Sequence, residues 1–272
     1  MSTVFKMWDN PPLMIEGKKD PTLHYFKTEK KDKNKGCVLI FPGGGYGSVM
    51  TGYEGAEYAE FLNEQGLDAF MLDYRVKPYQ FPVPLLDARR AMRIIRKNAK
   101  ELGIDENKIL VMGSSAGGHL AAFISTYKEK IDGEGVDEID EIDPTPNGQI
   151  LCYPVIDTEG HLASYVNLLG EKECYDEFVP SLLCDENTPP VFMWHTMRDD
   201  MVDVRNTLTY AKALKEHDVS CEMHLFPDGK HGLGLANDST IALRQEDEKI
   251  GKHARSWNEL LAKWLEYMGF NN

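Results

Sequence analysis

An α/β fold with a mostly parallel central sheet and helices on both faces is predicted by three features of this chain. From Cys37 onward, short and nearly continuous apolar runs alternate with longer amphipathic ones. The short runs lack in–out alternation, as strands do when both faces are covered. No repeat period and no Ser/Gly-rich linker divides the 272 residues, so one domain, 1–272, is expected.

The elements follow in order. CVLIF (37–41) is a buried strand, and 54–66 is helix-like up to Gly66. A strand over 67–76 precedes the clearest helix, 84–103. There Leu85, Ala88, Met92, Ile95, Ala99 and Leu102 recur at steps of three and four, between Pro84 and Gly103. KILVMG (108–113) is a strand and 119–127 a helix. Strands at 148–155, 190–196 and 220–226, an amphipathic helix at 204–218 and a closing helix from Arg255 complete the alternation. The first thirty-odd residues add edge strands, and 27–35 reads as a solvated turn. The acidic stretch 128–144 lacks the glycine and terminal glutamate of a calcium loop and is expected to be a solvated loop. The long connection 156–189 suits a small cap or pocket wall.

Composition limits function. A net charge of -14 disfavours nucleic acid and anionic membranes as partners. No apolar stretch reaches the roughly 18 residues of a membrane span. The N-terminal stretch shows no signal-peptide pattern, and the five cysteines form no C-x-x-C pair. Cys37, Cys152 and Cys221 read as small buried hydrophobes. A cytoplasmic protein is expected. No histidine spacing suggests a metal site, and neither metal nor cofactor is expected. Oligomeric state cannot be read from the sequence.

The chemistry concentrates at strand ends. KILVMG runs into GSSAGG (113–118) and then a helix, which puts G-x-S-x-G in a strand–turn–helix context and makes Ser115 a candidate nucleophile. A serine needs a base, and the base an orienting carboxylate. On such a sheet the chain order is Ser, then acid, then His. MRDDMVD follows the strand at 190–196 and offers Asp199, with Asp200 and Asp203 as alternatives. PDGKHGLG follows the last strand and offers His231. His119 is better placed for packing, and His161 stands out of order.

The glycines of FPGGGYGSVM (41–50) raise a second reading, a phosphate cradle. No register supplies G-x-G-x-x-G or G-x-x-x-x-G-K-[ST], although Asp73 does end a strand. Backbone N–H groups aimed at an oxyanion beside Ser115 fit the loop better.

These motifs resemble the α/β-hydrolase fold, and more narrowly the bacterial esterase/lipase-like group that includes xylan and other carbohydrate acetyl esterases. PGGGY (42–46) is similar to that group's H-G-G-G-[WYF] loop, with Pro42 where many members carry histidine. GSSAGGHLAA (113–122), PPVFMWHTMRDDMV (189–202) and LFPDGKHGLGL (225–235) carry the rest. The resemblance runs from about residue 36 to the C-terminus. It implies a Ser115–His231–Asp199 triad, oxyanion donors on the N–H groups of Gly44, Gly45 and Ala116, and acetylated sugars or oligosaccharides as substrates. The modest size of 156–189 favours a short acyl group. Tyr46, Tyr165, Tyr175 and Phe178 are candidates for the pocket wall, with core packing the alternative for each. An amidase or peptidase on the same triad, and a non-catalytic binding protein on the same fold, are the rival readings.

Overall fold

The computed structural model describes residues 3–30 and 35–271. Its strands are β1 (Thr3–Phe5), β2 (Thr22–Phe26), β3 (Lys35–Phe41), β4 (Asp68–Asp73), β5 (Ile104–Ser114), β6 (Gly148–Cys152), β7 (Val191–Thr196) and β8 (Cys221–Phe226). They form one sheet in the order β1-β2-β4-β3-β5-β6-β7-β8 among the described residues. β1 and β2 join antiparallel, and every later pairing is parallel. The expected mostly parallel sheet with N-terminal edge strands is therefore present.

Successive side chains of a strand point to opposite faces, and the packing follows that rule. Leu39, Phe41 and Val111 pack with α2 (Val83–Leu102) and α3 (Ala116–Thr126), and Met193 with α6 (Arg205–Glu216). Val38, Ile40, Leu110, Met112 and Trp194 pack with α1 (Glu57–Glu64) and α9 (Trp257–Tyr267). The remaining helices are α4 (Thr158–Leu169), α5 (Pro180–Leu183), α7 (Asp238–Arg244) and α8 (Glu248–Ala254). α2 begins with Pro84 in its first turn and ends at Gly103, which takes a left-handed φ of 71°.

Three expectations need correction. The stretch 128–144 is not simply solvated. α2 carries a second buried face of Arg89, Arg90 and Arg93, and those cations need counterions. Glu134 lies 3.1 Å from Arg89 and 2.8 Å from Arg93, while Asp137 and Asp140 lie 2.6 and 3.1 Å from Arg90. The acidic segment is docked on α2. The turn expected over 27–35 lies in part, 31–34, outside the described residues, and its ends are anchored rather than solvated. Asp68 accepts from the Thr28 N–H at 2.9 Å and pairs with buried Lys35 at 2.8 Å. Cys221 is exposed, because β8 is an edge strand, whereas Cys37 and Cys152 are buried as expected.

A buried ion pair fixes the start of α2 to the end of β4. Arg75 donates to Asp87 through its backbone N–H at 2.9 Å and its guanidinium at 2.6 Å, and to the Pro12 carbonyl at 2.7 Å. Asp87→Ala would leave that guanidinium buried without its carboxylate. A loss of about 3–5 kcal/mol is expected, read as a lower urea midpoint with unchanged slope.

Candidate active site

Ser115 stands between β5 and α3 with φ 54° and ψ -122°, a conformation that costs on the order of 1–3 kcal/mol for a residue with a Cβ. The surroundings over-determine it. Its N–H donates to the Cys152 carbonyl at 3.1 Å, and its carbonyl accepts from His119 and Val155 at 3.1 and 3.0 Å. The flanking glycines are needed for contact: a Cβ on Gly113 or on Gly117 would lie 2.0 Å from a backbone oxygen, Gly117 O and Phe41 O respectively. The turn is wedged against the end of β3.

The structure brings Ser115, His231 and Asp199 together. His231 Nε2 lies 2.9 Å from Ser115 Oγ, and His231 Nδ1 lies 2.7 Å from Asp199 Oδ2. With Nδ1–H donating to the carboxylate, Nε2 is left to accept from the serine. Asp199 Oδ1 accepts the N–H groups of Met201 and Val202 at 2.9 and 2.8 Å. Burial pushes this carboxyl up, but bonds from His195 and His231 outweigh it and hold it well below the usual range. Asp200 instead accepts the backbone N–H of His231 at 2.9 Å, and Asp203 pairs with Arg205 at the start of α6. Of the three carboxylates offered by sequence, only Asp199 reaches the imidazole ring.

Gly44 and Gly45 lie in the loop after β3, with φ of 131° and 63°. Among the described residues no backbone acceptor takes either N–H. Ala116 is the first residue of α3, where helix geometry leaves the N–H without an intrahelical acceptor. The loop is held by a turn onto the Gly44 carbonyl, by Tyr74 Oη donating to Pro42 O at 2.7 Å, and by Asn167 Nδ2 donating to Gly45 O at 2.8 Å.

Tyr46 and Tyr165 are not on an open wall. Each is 1% exposed. Tyr46 Oη lies 2.7 Å from His119 Nδ1, and Tyr165 Oη donates to the Ile156 carbonyl at 2.6 Å. Their rings pack on His119 because a phenol with its hydroxyl satisfied is best kept in the core. His119 Nε2 donates to the Phe178 carbonyl at 2.9 Å, so Nδ1 accepts from Tyr46 and the ring is neutral.

Two histidines that chain order sets aside as bases, and one glutamate that no motif marks, surround this site. His195, four positions before Asp199, aims Nε2 at Asp199 Oδ2, 3.2 Å away, and Val202 O, 3.0 Å away. His161 sits at a kink in α4 (φ -161°, ψ 77°) with Nδ1 2.8 Å from Ser164 Oγ. Burial, and then the nearby His231, push its pKa down. Glu54, in the π-helical turn Gly52–Ala56, is a buried carboxyl that accepts the Gly43 N–H at 2.9 Å and the Tyr153 hydroxyl at 2.7 Å. Tyr153 Oη in turn accepts the Gly234 N–H at 3.0 Å, and its ring meets His231 edge-on at 5.0 Å. One carboxylate thus ties the Gly44/Gly45 loop to the His231 loop. Nothing in the local pattern around Glu54 marks it, since its partners are 11 and 99 residues away.

The BD-FAE family profile matches residues 23–214. The chain belongs to the BD-FAE family of α/β-hydrolases. A similar solved structure is that of the acetyl ester-xyloside bifunctional hydrolase of Caldicellulosiruptor lactoaceticus. It is 38% identical with a TM-score of 0.87, over 99% of this chain and 97% of that one. The acetylxylan esterase of Xylanibacter ruminicola is 32% identical over 209 residues, 73% of this chain and 41% of that protein. Endo-1,4-beta-xylanase B of Butyrivibrio fibrisolvens is 37% identical over 216 residues, 76% and 34% respectively. The chain therefore spans well under half the length of these two curated relatives. The fold is that of the α/β-hydrolases.

Two outcomes follow. Glu54→Gln keeps the volume but cannot accept from both Gly43 and Tyr153. It should slow fluorophosphonate labelling of Ser115 roughly 10- to 100-fold with near-UV circular dichroism retained; unchanged labelling would show that the network does not bear on the serine. Burial lowers the His119 pKa from 6.5 to about 4, so the unfolded chain takes up a proton below pH 6.5 that the native state refuses. This contribution is complete above pH 6.5 and lost as pH falls toward 4, up to roughly 3 kcal/mol. His119→Gln should flatten stability against pH across that window in urea titrations.

Proposed function

We propose that the protein is a serine carboxylesterase that removes short acyl groups, acetyl above all, from small carbohydrates or xylo-oligosaccharides. The observation that carries this reading is the Ser115–His231–Asp199 alignment, 2.9 and 2.7 Å, at a strained turn. The names of the relatives, an acetylxylan esterase and an acetyl ester-xyloside hydrolase, support the substrate class.

Ser115 Oγ attacks the ester carbonyl as His231 Nε2 takes its proton. Asp199 keeps the imidazole in the required tautomer and stabilises the imidazolium. The tetrahedral oxyanion is held by the N–H groups of Gly44, Gly45 and Ala116, which are fixed before the reaction and need no reorganisation. His231 then protonates the departing sugar hydroxyl. Water, deprotonated by His231, attacks the acyl-enzyme and releases the acid. No metal or cofactor enters this sequence. The substrate is a small ester, and an aqueous, reducing compartment such as the cytoplasm suits the five free thiols.

Ser115→Ala should lower kcat on acetylated xylo-oligosaccharides and 4-nitrophenyl acetate by about 10⁴-fold or more. A panel of acetyl, butyryl and octanoyl esters with aryl amides should show acetyl preferred. Amides turned over as fast as acetyl esters, or activity kept in Ser115→Ala, would refute the reading.

A further inference from the structure

One cation beside this site has no hydrogen-bond acceptor among the described residues. Every other arginine donates to a carboxylate or carbonyl or, for Arg198, pairs with one, Asp228. The Arg244 guanidinium has no acceptor among the described residues, and its Nε is buried without a partner. In a chain of net charge -14, a half-buried guanidinium with no carboxylate hydrogen-bonded to it stands out. The neighbouring carboxylates are engaged elsewhere. Glu54 feels the Arg244 charge but accepts its hydrogen bonds from Gly43 and Tyr153, and Glu246, two residues along, accepts the Lys230 N–H at 2.5 Å.

Arg244 is not isolated in space. A Cβ placed on Gly232, the residue after His231, would lie 3.4 Å from Arg244 Cζ, from Arg244 Nε and from Tyr53 Oη. The Tyr53 hydroxyl likewise has no hydrogen-bond partner among the described residues, and both side chains are partly exposed. Burial and the adjacent Glu54 raise Tyr53 to about 12 against the pull of Arg244, so the phenol stays a donor at neutral pH. Position in the last turn of α7 suits any cation. It does not explain why a guanidinium fork and a free phenol converge over Gly232.

We propose that Arg244 and Tyr53 form a subsite for a carboxylate on the substrate, such as a uronic-acid substituent near the acetylated hydroxyl. A guanidinium offers two parallel N–H donors to a planar carboxylate, and the phenol adds a third. This selects acidic over neutral oligosaccharide esters, and it rests on the serine-esterase reading above.

The test compares the native protein with Arg244→Gln, Arg244→Lys and Tyr53→Phe. The substrates are an acetylated xylo-oligosaccharide and one of equal length bearing glucuronic acid. The acidic-to-neutral ratio of kcat/KM should fall on the order of 10- to 100-fold in Arg244→Gln, partly in Arg244→Lys, and least in Tyr53→Phe. Calorimetry with the deacetylated acidic oligosaccharide on Ser115→Ala, with and without Arg244→Gln, measures binding free of turnover. A ratio unchanged in Arg244→Gln, with binding equally unchanged, overturns the subsite. Arg244-dependent binding by a protein that hydrolyses no ester upholds the subsite and overturns the esterase reading instead.

Discussion

The close approach of the Ser115 turn to the end of β3 is the constraint on which the rest depends. Gly117 lies against the Phe41 carbonyl with no room for a side chain, and Gly113 against Gly117. That contact brings the α3 N-terminus and the glycine loop to the same edge of the sheet. β3 and β5 are neighbours in the sheet, so the loops that follow them are neighbours too. The strain at Ser115 is tolerated because backbone bonds from β6 and α3 hold it from two sides.

Beneath the turn lies a layer of buried polar groups with their bonds satisfied. Tyr58 Oη sits 2.9 Å from Ser114 Oγ and 3.3 Å from Tyr153 Oη, which reaches Glu54. On the other side, His119 joins Tyr46 to Phe178. Such networks have few alternative arrangements once every donor has an acceptor, and they specify loop positions that apolar packing alone would leave loose.

Much of this was legible in the sequence. The strands were readable because burial on both faces makes them continuous apolar runs. Ser115, Asp199 and His231 could be picked out because each follows a strand end in the order this sheet allows. What sequence could not reveal depends on pairings between distant residues. Glu54 meets Gly43 and Tyr153 only in three dimensions. The arginines of α2 look solvent-facing on a helical wheel, and their burial becomes apparent only when 128–144 folds back on them. Tyr46 and Tyr165 stayed open between pocket wall and core because an aromatic near a glycine loop looks the same in sequence whether it faces a cleft or the core.

The hydrogen bond from Asn167 to the Gly45 carbonyl joins α4, in the 156–189 connection, to the glycine loop. α4 is therefore not an independent cover. A peptide unit whose carbonyl is gripped by one helix has its orientation set by that helix. Exchanging 156–189 for a longer segment from a relative would transplant a new entrance and, at the same time, retune the angle of the backbone beside Gly45. Divergence of substrate range in this architecture is then bound to changes in reactivity, and the two traits would be inherited together.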